Sequence, residues 1–130
     1  MRIFKGKIEK KISIKLVGDA EQAFKDLNKA VGEQRKQGIT SSKEITLLEA
    51  IDRMFDLIVK NPFYGENAKK NQIPREYRQK YDVSNLFIAD LPDYWRIIYT
   101  LESDEIEIIS FVLDIIDHKD YNKKFGFRKR

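Results

Sequence analysis

Residues 105–117 constrain the fold of this chain more than any other stretch. Ile106, Ile108, Ile109, Phe111, Val112, Leu113, Ile115 and Ile116 fill it so densely that neither face of a strand is left polar. A strand apolar on both faces belongs inside a sheet, not at its rim. Two further β segments precede it, at roughly 80–90 and 95–102. Pro92-Asp93 supplies the turn between them, and Glu102-Ser103-Asp104 the turn into the last strand.

The first half of the chain reads differently. Residues 11–17 alternate polar and apolar with period two and stop at Gly18, which predicts an opening strand. Asp19 with Gln22 predicts a capped helix start; Ala20, Ala23, Phe24, Leu27, Ala30 and Val31 share one helical face, and Gly38 ends it. Ser41 with Glu44 predicts a second capping box, followed by a stripe of Leu47, Leu48, Ile51, Met54, Phe55, Ile58 and Val59 up to Asn61-Pro62. Residues 61–79 lack periodicity and read as an ordered loop, with Phe63 and Tyr64 beside Gly65 as its anchors. The expected fold class is therefore α+β, one small domain over 1–130 in β-α-α-β-β-β order, with a short C-terminal segment. Two antiparallel helices are expected to pack on one face of a mainly antiparallel sheet.

Composition narrows the functional classes. A chain of 130 residues with 42% apolar content and fifteen aromatics (eight Phe, six Tyr, one Trp) has the makings of one packed core. No apolar run reaches the roughly 18 residues of a membrane span, and the N-terminus does not read as a signal peptide. The absence of cysteine excludes disulfides and thiolate zinc sites, and a single histidine makes any zinc centre a poor expectation. No metal or other cofactor is expected, and the expected location is cytoplasmic. No phosphate-binding glycine loop or serine nucleophile elbow occurs.

Net charge is only +4, so its distribution matters more than its sum. Lys69, Lys70, Arg75, Arg78 and Lys80 face a single acid, Glu76, within residues 69–80. Lys123, Lys124, Arg128, Lys129 and Arg130 crowd the tail. Such clusters either receive a polyanion or keep a surface solvated. Parity in residues 95–101 sets Trp95, Ile97, Tyr99 and Leu101 on one face and Arg96, Ile98 and Thr100 on the other. With helices over the Trp95 face, Arg96 is expected on the open face, where a guanidinium can fork two bonds to a phosphate. The alternative is a structural ion pair with Asp82 or Asp114. His118 has the imidazole chemistry that moves protons at neutral pH, or it is a plain polar residue after a strand. Tyr121, Phe125 and Phe127 have rings that could stack on bases; Phe125 is expected in the core instead, and Tyr121 is left between the two roles. Trp95 and Tyr99 are assigned to the core.

Ile73-Pro74, Tyr77, Lys80-Tyr81, Val83 and Leu86, then Tyr94-Trp95-Arg96-Ile97-Ile98-Tyr99, then His118-Lys119-Asp120-Tyr121 together resemble the RelE/ParE superfamily of toxins from prokaryotic toxin–antitoxin pairs. The resemblance covers roughly residues 10–127. It implies a metal-independent mRNA endonuclease acting in the ribosomal A site, in which a ribose 2′-hydroxyl attacks the adjacent phosphate. Arg96 matches the family's phosphate-stabilising arginine. His118 and Tyr121 fall where acid and base groups sit, which makes Arg96, His118 and Tyr121 the catalytic candidates. Lys69, Lys70, Arg75, Arg78, Lys80, Lys119 and Lys123 become the nucleic-acid-binding candidates. The family's lysine-bearing strand reads here Tyr81-Asp82-Val83-Ser84-Asn85, and Asp82 would repel a phosphate. The same superfamily includes gyrase poisons and inactive regulatory proteins, so a ParE-like or non-cleaving binder is the alternative. The implied partners are a cognate antitoxin and mRNA, or DNA gyrase in the alternative.

Overall fold

The computed structural model describes residues 2–4 and 7–126, with side chains from residue 10 to residue 126. β1 (Arg2–Phe4) and β2 (Lys7–Glu9) pair antiparallel. The alternating segment follows as β3 (Lys11–Leu16), and Gly18, at φ +51°, starts α1 (Gly18–Lys36). A turn through Gly38, at φ +82°, leads to α2 (Lys43–Lys60). Then come β4 (Glu66–Asn67), α3 (Arg75–Tyr81), β5 (Phe87–Asp90), β6 (Arg96–Ser103), β7 (Glu107–Ile116) and α4 (His118–Phe125). The result is a small α+β domain whose described residues hold four α-helices and a five-stranded mixed sheet of order β3-β7-β6-β5-β4. β3 runs parallel to β7, and every other neighbouring pair is antiparallel.

Hydrophobic patterning explains both faces of this sheet. Ala20, Ala50, Ile51 and Ile58 from α1 and α2 pack with Phe87, Ile97, Tyr99 and Ile115. On the opposite face Tyr77 of α3 and Tyr121 of α4 pack with Ile88, Ile98, Leu113 and Ile116. A doubly apolar β7 is satisfied only by cover on both sides, and both sides are covered. A bulge refines the second face: Ile98 pairs with Asp114 and Tyr99 with Val112, so Leu113 is skipped. The extra residue brings Leu113 and Asp114 to the same side of the sheet, where the alternation of a regular strand would separate them.

Several expectations are corrected. Residues 61–79 are not a plain loop, because they hold β4, a 3₁₀ turn at Lys70–Gln72 and most of α3. The strand expected at 80–90 is confined to Phe87–Asp90, while Tyr81 ends α3 and Asp82 is its left-handed C-cap at φ +51°. Seven residues carry too few apolar positions for a helical period to be legible. Packing of Tyr77, 2% exposed, holds the helix in place. Asp82 therefore does not stand in the sheet at all. The predicted caps move as well. Val17 precedes α1 with no side-chain cap, and Gln22 donates to Asp26 Oδ1 at 2.8 Å. The cap of α2 is Ser42, not Ser41: its Oγ accepts from the Ile45 amide at 3.0 Å and donates to Gln34 Oε1 at 2.6 Å. Glu44 instead accepts from Gln34 Nε2 at 2.9 Å, so both polar groups tie α2 to the end of α1.

The 61–65 segment is anchored from an unexpected direction. Phe63 and Tyr64 are 64% and 50% exposed, and only an edge of Phe63 touches Phe87, at 5.9 Å between centroids. The anchor is the buried hydroxyl of Tyr99, which donates to the Pro62 carbonyl at 2.8 Å and accepts from the Gly65 amide at 2.9 Å. A Cβ on Gly65 would lie 2.9 Å from both the Ile88 carbonyl oxygen and that hydroxyl, so only glycine fits.

Candidate functional site

The hairpin register brings the site together. Asp90 at the end of β5, Arg96 at the start of β6 and Ile116 at the end of β7 lie in one row across the sheet. α4 begins two residues later, its N-terminus capped by Asp117, whose Oδ1 accepts from the Asp120 amide at 2.9 Å. That cap aims α4 back over the sheet and brings Tyr121 onto the row. The Arg96 guanidinium carbon lies 4.8 Å from the Tyr121 ring centroid, a cation–π contact.

Arg96 is not on an open face. Its side chain is only 16% exposed, and its partner is neither Asp82 nor Asp114 but Asp90, at 3.0 Å from Nε to Oδ1. The Nη1 group donates to the Trp95 carbonyl at 3.3 Å. Asp90 is 81% exposed, so this ion pair is solvated on one side and adds little stability.

Tyr121 is 9% exposed and packs on Phe125, with ring centroids 4.6 Å apart. Of the two roles left to it by the sequence, base stacking and core packing, burial assigns it the second. Burial raises its pKa above the ordinary phenol value. The charge of Arg96 and a hydrogen bond to it act in the opposite direction, while Glu66 and Asp90 add to the rise. Phe125 is partly buried and packs against the core, 6.2 Å from the ring of Tyr77. Phe127, Arg128, Lys129 and Arg130 lie outside the described residues.

His118 is exposed at the first position of α4. Its Nε2 is 3.1 Å from Asn122 Nδ2, and its ring centroid is 5.3 Å from that of Tyr94. Tyr94 was not among the sequence candidates. It is 68% exposed, and both it and Asp93 have positive φ, at +62° and +58°. The turn is closed by the Trp95 amide bonding the Pro92 carbonyl at 3.3 Å and the Leu91 amide bonding the Trp95 carbonyl at 2.8 Å. Two successive left-handed residues make a turn of the I′ kind, in which glycine is normally favoured at the second position. An aromatic residue there costs on the order of 1–3 kcal/mol.

The basic candidates are dispersed. Lys69, Lys70, Arg75, Arg78, Lys80, Lys119 and Lys123 are all exposed. Arg78 Nη2 donates to the Lys70 carbonyl, stitching α3 to the 3₁₀ turn. Lys80 stands on α3, not on a strand, and pairs with Asp19 at the start of α1 at 3.5 Å. Lys124 serves the core instead: its Nζ reaches Glu76 Oε2 at 2.8 Å and the buried Asp114 Oδ2 at 3.1 Å. Tyr77 donates to the same Asp114 oxygen at 2.7 Å.

A cavity of about 440 Å³ lies behind the 92–95 turn, lined by Leu27, Lys43, Leu47, Pro92, Asp93 and Trp95 among others. It touches neither Arg96 nor Tyr121. Among the described residues, no group of three or more His, Cys, Asp or Glu side chains is placed to hold a metal ion. No helix among them is long and apolar enough to cross a membrane. Comparison with protein-family models, with curated proteins and with solved structures finds no match to this chain.

Proposed function

We propose that this chain is a toxin of the RelE/ParE superfamily, RelE-like in action: a metal-independent endonuclease of mRNA in the ribosomal A site, held inactive by a cognate antitoxin. The observation that carries the reading is the contact of Arg96 with the Tyr121 ring at the row formed by the ends of β5, β6 and β7. The superfamily architecture, with α1 and α2 on one face of the sheet, belongs to the same proposal. In this scheme the 2′-oxygen attacks the adjacent phosphorus and the bond to the 5′-oxygen breaks, leaving a cyclic phosphate and a 5′-hydroxyl. Arg96 exchanges its solvated partner Asp90 for a phosphate oxygen and stabilises the charge that develops there. Tyr121, whose ring lies against Arg96, is the candidate acid for the leaving oxygen; the charge of Arg96 works against the rise that burial imposes on its pKa. His118 is the candidate base for the 2′-hydroxyl. Lys119 and Lys123, on the same helix, add positive charge along the RNA path. The exposed basic groups Lys69, Lys70, Arg75, Arg78 and Lys80 suit an acidic antitoxin segment that orders as it binds.

A second reading, a non-cleaving binder such as a gyrase poison or an inactive partner, draws on the engagement of Arg96 by Asp90 and on the turning of His118 toward Tyr94. Primer extension on a translated reporter mRNA with purified ribosomes separates the two. We expect discrete ribosome-dependent cuts that fall by about 100-fold or more in Arg96→Ala. Cuts undiminished in that variant would remove Arg96 from the chemistry. No cuts by the folded, antitoxin-free protein would favour the binder.

A further inference from the structure

We infer that Tyr94, with His118 behind it, is a stacking platform for an unpaired nucleobase next to the phosphate bound at Arg96. The inference rests on the RNA reading of the site and adds a base-binding subsite to it. Tyr94 is the most exposed large aromatic among the described residues, at 68%. It is set at the tip of the turn between β5 and β6, two residues from Arg96. Its ring meets the imidazole of His118, at the start of α4, with centroids 5.3 Å apart and an interplanar angle of 49°. The conformation is one that side chains rarely adopt, at φ +62° directly after Asp93 at φ +58°. A residue chosen only to turn the chain would be glycine. A tyrosine that spends backbone strain to hold an exposed ring two residues before a strand-end arginine has the make-up of a single-strand binding platform. Such platforms combine an aromatic face for the base with a cation for the backbone.

The test uses a fluorescein-labelled single-stranded RNA of about eight nucleotides, 2′-O-methylated throughout so that it cannot be cut. Affinity is measured by anisotropy across a salt series for the wild type, Tyr94→Gly, Tyr94→Phe and Arg96→Ala. Tyr94→Gly supplies the residue the turn prefers, so it is expected to keep or raise the melting temperature while losing roughly ten-fold in affinity. Its salt slope should match the wild type, because no phosphate contact is removed, whereas Arg96→Ala should flatten the slope. Tyr94→Phe should bind as the wild type does. Wild-type affinity in Tyr94→Gly overturns the inference, as does a wild type that does not bind this RNA. Ribosomal cleavage is read separately on the same proteins. Cleavage with no effect of Tyr94→Gly on affinity sinks the platform alone. Loss of affinity in Tyr94→Gly without any cleavage by the wild type keeps the platform and sinks the nuclease.

Discussion

At the scale of single residues, the most demanding position is Asp114. It is 4% exposed, and its carboxylate is held by the Tyr77 hydroxyl at 2.7 Å and by Lys124 at 3.1 Å. A buried carboxylate is tolerated only when hydrogen-bonded or paired, and here it is both. The bulge in β7 makes this possible, since it turns Asp114 toward α3 and α4. Tyr77→Phe removes one donor and leaves the rest of the packing in place. It should lower unfolding free energy by about 1–3 kcal/mol, measured by urea titration. A loss much below that range would show that Lys124 alone satisfies the carboxylate. Arg96 is the contrasting case. Its place opposite Asp90 follows from a register centred on Asp93, one step from the Pro92-Asp93 turn read in the sequence, where Asp82 and Asp114 were the partners considered.

At the scale of elements, α1 and α2 were legible because each carries three or more turns of apolar stripe. Their caps were less so, because a cap is chosen by geometry and several nearby side chains had suitable chemistry. Ser42 and Ser41 are chemically equal; Gln34 at the end of α1 decides between them by accepting from the Ser42 hydroxyl at 2.6 Å. Ser42→Ala should therefore cost about 1 kcal/mol in unfolding free energy, with Ser41→Ala near neutral in the same assay. Equal effects at the two positions would contradict the observed cap. α3 and α4 are seven and eight residues long, and neither displays a full hydrophobic period. Both depend on one or two aromatic side chains seated on the sheet: Tyr77 for α3, and Tyr121 with Phe125 for α4.

For the whole molecule, the sheet carries cover on both faces, and three tyrosines are built into its two cores. Tyr77, Tyr99 and Tyr121 have pKa values above the ordinary phenol value, in each case first because burial penalises the phenolate. In the unfolded chain these phenols titrate near 10. Above that pH the unfolded state binds fewer protons than the folded one, so stability falls as pH rises. The contribution is fully present below pH 10. The urea midpoint should hold up to about pH 10 and drop between roughly pH 10 and pH 12, and drop less steeply in Tyr77→Phe. A midpoint flat over that interval would mean that the three phenols ionise alike in both states.

The sequence by itself determined the α+β class, the two long helices, the interior position of the last strand and the face division of Trp95, Ile97 and Tyr99 against Arg96 and Ile98. These follow from periodicity, which is a local property repeated over enough residues to be read. It also singled out Arg96 and Tyr121, although nothing local set them 4.8 Å apart. Tertiary structure alone decided that the face of Arg96 is roofed by α3 and α4, that Tyr121 is buried, that His118 turns to Tyr94, and that Lys80 leaves the sheet for Asp19. Each of these depends on short segments whose conformation is selected by the surface they cover. Such a surface exists only once the distant strands β3, β7, β6 and β5 have come together.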